Sequence, residues 1–140
     1  MERYVAFDIG DKRIGVAVSD PFNTYALPSQ TYWRKGFKQD VEALLKIAAE
    51  KGATTIVCGL PVNFDDSNAL QTQKTERFIE ALKAASVIPV VCEDERFTTM
   101  MAHDVLISEG YSREKRKNYV DALAAANILD GYLDRINKNK

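Results

Sequence analysis

Three groups of carboxylates carry the chemistry this chain could perform: Asp8, the run Glu93-Asp94-Glu95, and Asp121. Asp8 follows Tyr4-Val5-Ala6-Phe7, and the acidic run follows Val87-Ile88-Pro89-Val90-Val91-Cys92. The first run suits a strand buried on both faces, and the second reads as another strand. Ligand sites in open α/β sheets gather beyond the carboxyl ends of parallel strands, where both acidic groups are expected. Asp121 opens a helix predicted over 119–136. It shares a face with Ala125, Ile128, Leu129, Tyr132 and Ile136, so it lies on the apolar stripe. A carboxylate there needs a partner or a cation, and a place in the first helical turn favours its ionised form. The small residues Ala122, Ala124, Ala125 and Ala126 let the helix approach the sheet closely. Oxygen donors of this kind suit Mg²⁺ or Mn²⁺. A carboxylate cluster holding two such ions can direct in-line attack of water on a phosphodiester.

The elements that must position these acids follow from the hydrophobic pattern. Tyr4-Phe7 and Arg13-Ser19 are separated too narrowly for a parallel crossover, so they form an antiparallel hairpin. A weaker third strand runs through Ser29-Gln30-Thr31-Tyr32-Trp33. Val41, Leu44, Leu45 and Ala48 lie at helical spacing, and Gly52 stops that helix. Thr54-Thr55-Ile56-Val57-Cys58 is a buried-type strand. A helix follows over 68–85, then the strand from Val87, in which Pro89 marks a sheet edge. A further helix spans 98–109, ahead of the one that begins at 119. The order β-β-β-α-β-α-β-α-α describes one mixed five-stranded sheet, a three-strand antiparallel meander followed by parallel strands, with helices on both faces.

The 140 residues suit one domain, residues 1–140, with 46% hydrophobic and 28% charged residues. Such a chain can bury a core, which argues against disorder. The 19 Lys and Arg against 20 Asp and Glu exclude affinity for polyanions by bulk charge alone. Two cysteines, Cys58 and Cys92, and one histidine, His103, leave no zinc site and no disulfide framework. Both cysteines are expected to be buried as small hydrophobes. His103 reads as a helix-surface residue. No apolar run is long enough to span a membrane and no signal segment opens the chain, so a cytoplasmic protein is expected.

Four segments together resemble the YqgF/RuvX family, which comprises Holliday-junction resolvases also assigned to maturation of the 5′ end of 16S ribosomal RNA. They are Asp8-Ile9-Gly10-Asp11-Lys12-Arg13-Ile14-Gly15-Val16-Ala17, then Gly59-Leu60-Pro61-Val62-Asn63, Asp94-Glu95-Arg96-Phe97-Thr98-Thr99, and Lys117 through Asp121 with Ala125 and Ile128-Leu129. They stand in the family's order. The resemblance implies an α/β ribonuclease-H-like fold and a metal-dependent nuclease. Its substrate would be pre-16S rRNA or branched DNA, and it would act as a monomer or homodimer. It places Asp8, Glu95 and Asp121 as catalytic acids and ligands of Mg²⁺ or Mn²⁺. The second motif departs from the family's pattern, because Phe64-Asp65-Asp66-Ser67 follows Asn63 where a glycine is usual.

Lys12, Arg13, Asn63, Arg96 and Lys117 are the candidates for holding substrate, because each lies inside a motif or beside an acid. Gly10 lets backbone pass close to a metal or phosphate, or builds an ordinary turn. Basic residues also cluster at Arg34, Lys35 and Lys38 and at Arg113, Lys115, Arg116 and Lys117, where phosphate binding competes with a plain solvated face. Trp33, Phe37 and Tyr111 could stack on bases. A nucleic-acid-binding ribosome-assembly factor without catalysis is the alternative. An actin-like or sugar-kinase phosphotransferase would need two such domains.

Overall fold

The computed structural model describes residues 2–61, 69–95 and 113–138. Asn63, Arg96, the predicted helix 98–109 with His103, and Tyr111 lie outside the described residues. So do the side chains of Asp94, Glu95 and of the basic cluster 113–117.

Strands β1 (Tyr4–Ile9), β2 (Arg13–Ser19) and β3 (Ala26–Trp33) form the meander, followed by α1 (Phe37–Glu50), β4 (Thr55–Pro61), α2 (Ala69–Ala85), β5 (Val90–Glu95) and α3 (Arg113–Lys138). The sheet order is β3-β2-β1-β4-β5. β1 pairs with β2 antiparallel and with β4 parallel, and β4 pairs with β5 parallel. The mixed sheet expected from the sequence is therefore present. Pro28 lies within edge strand β3 and Pro89 just ahead of edge strand β5, where a missing donor is tolerated, and Pro61 is the last residue of the interior strand β4.

Alternation along the strands sorts the core into two layers. Val5, Phe7, Ile9, Ile14, Val16, Ile56 and Cys58 pack with α1 and α2 through Val41, Leu44, Phe78 and Leu82. Tyr4, Ala6 and Val57 pack against Ile128, Leu129 and Leu133 of α3, and Ala17 against Ala125 and Ala126. Helix α1 ends in a Schellman arrangement: the Gly52 N–H donates to the Ala49 carbonyl and the Ala53 N–H to that of Ala48, with Gly52 at φ 70.

Several sequence expectations shift. The acidic run does not follow β5 but forms its second half, since an edge strand can carry charged residues without burying them. Helix α3 starts six residues before the predicted 119, because Arg113-Glu114-Lys115-Arg116-Lys117 are good helix formers that show no apolar period. Asp121 therefore sits well inside α3, and the first-turn argument for its charge does not apply. Cys58 is buried, with burial raising its thiol pKa. Cys92 is exposed, against expectation, because it lies on the outermost strand.

A buried carboxylate, Asp40, organises the sheet end that carries Asp8. It accepts bonds from the Tyr32 hydroxyl (2.9 Å), Arg34 Nε (2.8 Å) and the Lys35 N–H (2.9 Å). Arg34 in turn donates Nη1 to the Gly10 carbonyl (2.7 Å), and its own N–H bonds the Lys12 carbonyl (2.9 Å). Arg34 thus ties the Gly10–Lys12 loop to α1, a structural duty within the basic cluster. Burial pushes the Asp40 carboxyl up, but the bonds from Lys35, Arg34, Tyr32 and Gly36 outweigh it and hold its pKa below the ordinary value. A depressed folded pKa stabilises the fold above about pH 4, and that contribution disappears as pH falls through the folded value. Asp40→Ala leaves the half-buried Arg34 guanidinium without its carboxylate and the Tyr32 hydroxyl and Lys35 N–H without their acceptor. It should lose about 3–5 kcal/mol of stability at pH 7 and flatten the acid limb of a denaturation series. An unchanged urea midpoint at pH 7 would refute this.

Candidate active site at the carboxyl end of the first strand

Asp8 and Asp121 are each placed next to the same glycine. Asp8 is the cross-strand partner of Gly15 on β2. Backbone of α3 lies directly over Gly15: a Cβ there would sit 1.8 Å from the Asp121 carbonyl oxygen and 3.0 Å from the Ala122 nitrogen. A side chain on Gly15 would therefore hold the helix off. The alanines provide a flat helix face, and Gly15 provides the matching depression in the sheet. The sequence alone did not reveal this role, although the signal was visible as the one glycine inside an otherwise apolar strand.

Arg13 fixes Asp121. Its Nε donates to Asp121 Oδ2 at 2.7 Å, and its guanidinium lies over the Trp33 ring, 5.5 Å from the centroid. The side chains are 27% and 18% exposed, so the pair is shielded from water but reachable. Asp121 is thus paired, as its place on the apolar stripe requires. Trp33 serves as the platform for Arg13 while keeping 54% of its surface exposed. Arg13, Asp121, Gly10, Asp11 and Lys12 line a cleft of about 250 Å³. Gly10 closes the loop tightly, since its N–H bonds the Arg13 carbonyl at 2.9 Å and a Cβ would lie 2.8 Å from that oxygen.

The sheet register distinguishes the three acids of β5. Val90 packs in the α1/α2 layer and Val91 in the α3 layer. By alternation, position 94 falls on the α1/α2 face, and positions 93 and 95 on the face shared with Asp8 and Asp121. Glu93 is ion-paired with Arg135 of α3, and position 95 is in register with Pro61 at the end of β4. β5 lies two strands from β1, about 10 Å away. Among the described residues no three His, Cys, Asp or Glu side chains form a metal-binding group. Lys117 lies one helical turn before Asp121 on α3.

Arg13→Ala should reduce activity about 10- to 100-fold, the usual effect of removing a group that orients an active-site acid. Arg13→Lys should fall between, since an ammonium cannot reproduce a planar fork stacked on an indole. Equal rates for all three forms would show that Asp121 needs no orientation.

A family profile described as "RuvX: Holliday junction resolvase" matches residues 2–135. The chain belongs to the RuvX family. A protein of Thermoanaerobacter pseudethanolicus, named "Putative pre-16S rRNA nuclease", is 45% identical over 139 residues, covering 99% of both chains. One of the same name from Clostridium novyi is 42% identical over 134 residues, covering 96% of this chain and 99% of its own. Among solved structures, Thermus thermophilus RuvC bound to a Holliday junction superposes with TM-score 0.61 at 13% identity over 98% of this chain and 97% of its own. Fowlpox virus resolvase with junction DNA gives TM-score 0.60 at 15% identity, over 96% and 98%. At that identity these RuvX–resolvase likenesses speak to fold, and they agree with the ribonuclease-H-like sheet expected from the sequence.

Proposed function

We propose that this RuvX-family protein is a nuclease that hydrolyses phosphodiesters of structured nucleic acid with Mg²⁺ or Mn²⁺, most specifically at the 5′ end of pre-16S rRNA in the cytoplasm. The observation that carries this reading is that Gly15 pairs with Asp8 across the strands and lies under the backbone of Asp121, at one end of the sheet. The full-length likeness to relatives named for pre-16S rRNA favours RNA over branched DNA. No described helix is long and apolar enough to cross a membrane.

The donor set fits the metal. Asp8 and Asp121 are hard oxygen donors from two elements, and Glu95 ends β5 in register with Pro61. A bound divalent ion would activate water and stabilise the leaving oxygen. Asp8, Glu95 and Asp121 would hold it. Arg13 keeps Asp121 in one orientation, and the Trp33 ring keeps Arg13 in place. Lys12, on the rim of the cleft, would take a non-bridging phosphate oxygen as a point charge. Asn63, Arg96 and Lys117 would add substrate contacts, and the protein would act as a monomer or homodimer.

The test is incubation with a 5′-extended 16S rRNA fragment and, in parallel, a four-way DNA junction, with Mn²⁺ and with chelator. Metal-dependent cleavage of the RNA is expected. Cleavage of the junction alone would move the reading to a resolvase. Tight binding of RNA without cleavage of either would leave an assembly factor.

A further inference from the structure

A second cleft, of about 430 Å³, opens on the other side of the Gly10–Lys12 loop. Lys35, Phe37, Lys74, Thr75 and Arg77 line it, with Asp11 on the rim, above a floor made by the Arg34–Asp40 pair. We propose that this cleft is a phosphate-binding site for the sugar–phosphate backbone of the substrate strand where it passes beyond the acidic site. The inference rests on the nucleic-acid reading given above and extends it to a surface outside the catalytic acids.

Charge is the first argument. Arg34 and Asp40 neutralise each other, so Lys35, Lys74 and Arg77 face only Asp11, leaving a local excess of two positive charges in a chain whose net charge is −1. Among the described residues, none of those three side chains joins an ion pair, whereas other exposed cations do, such as Lys83 with Glu80 and Lys138 with Asp134. The cations also come from separate elements, Lys35 from the segment before α1 and Lys74 and Arg77 from successive turns of α2. A solvated helix face would not gather charge from two elements around one concavity.

Position is the second argument. Asp11 lines both this cleft and the one beside Asp121, so the two share a wall. The helices place the cleft at the sheet end that carries Asp8. α1 begins after β3, which runs parallel to β1, and α2 begins after β4, which does the same. A strand cut beside Asp121 reaches the basic cleft by crossing one tight loop. Phe37, 52% exposed and braced edge-on by Phe78 at 5.5 Å, offers a ring on which a base can stack. Thr75 adds a hydroxyl at a buried position on the lining. The cleft's size is that of sites that enclose small ligands, so a free phosphate or nucleotide is the competing source of the same chemistry.

The experiment measures binding of the 5′-extended 16S rRNA fragment by fluorescence anisotropy across a salt series. It uses the wild type, a Lys74→Gln/Arg77→Gln double variant, Lys74→Arg, and a Lys46→Gln/Lys51→Gln control that makes the same charge change elsewhere. Two lost phosphate contacts should lower the slope of log K against log salt by about 1.4. Lys74→Arg should retain the wild-type slope, and the control should move it much less. An unchanged slope in the double variant overturns the inference, as does an equal change in the control, which would reduce the effect to net charge. Inorganic phosphate or adenosine monophosphate that saturably shifts the Thr75 and Arg77 amide resonances, and that RNA fails to displace, also overturns it in favour of a free ligand. The two proposals fail separately. Cleavage with an unmoved slope removes this site and leaves the nuclease, whereas a lowered slope without cleavage removes the nuclease and leaves the site.

Discussion

Asp8→Asn should lose at least about 100-fold of the metal-dependent cleavage, corresponding to a few kcal/mol of transition-state stabilisation. Asparagine keeps the size and shape of the side chain, so β1 and its pairing with Gly15 are retained and the melting temperature should stay close to the wild type. What changes is charge. A neutral amide is a weak ligand for a hard divalent ion, and it leaves Asp121 as the described carboxylate at that spot, already partly engaged by Arg13. Raising Mn²⁺ should recover part of the activity if the loss is one of metal affinity. Undiminished cleavage by Asp8→Asn would remove the acid from the mechanism, and with it the proposed site.

The second large effect is expected at Gly15, a residue with no functional group. In Gly15→Ala the new methyl carbon would lie 1.8 Å from a backbone carbonyl oxygen of α3. Backbone cannot rotate away as a flexible side chain can, so the helix must lift. Overpacking of this kind costs about 1–3 kcal/mol, sometimes more, or several degrees in melting temperature for a domain of this size. Activity should fall further than stability, because the helix lifts at Asp121 itself and the acids separate. Gly131→Ala is the matched control: it sits on the same helix with nothing within 4 Å of the added carbon. It should stabilise by about 0.4–1 kcal/mol through helix propensity and reduced freedom of the unfolded chain. Gly15→Ala behaving like Gly131→Ala would show that the close approach of α3 is unnecessary.

The contrast between these glycines shows where the sequence could be read and where it could not. The existence of the five strands and the placement of Asp121 on an apolar stripe follow from periodicity, and periodicity is a local property. The start of α3 was missed because Arg113–Lys117 is polar on every side, so helix propensity had no apolar stripe to accompany it. The position of Glu93-Asp94-Glu95 inside β5 was missed because an edge strand needs no continuous apolar run. Gly15 lies within the first of the four motifs, yet its purpose depends on backbone more than a hundred residues away. Arg13 was read as a substrate contact from its position beside Asp8, and its bond to Asp121 could not be read from spacing. Among β5 acids, alternation and the Glu93–Arg135 pair favour Glu95 only once the register of β4 and β5 is known.

The link between Arg13 and Asp121 spans 108 residues of sequence. During synthesis at about 5–20 residues per second, some 5–20 seconds separate the emergence of the two partners. Through that interval the nascent chain can pair β1 with β2, but it has no helix to bring the second acid over Gly15. The proposed site is therefore without Asp121 until α3 has been made and has docked on the sheet.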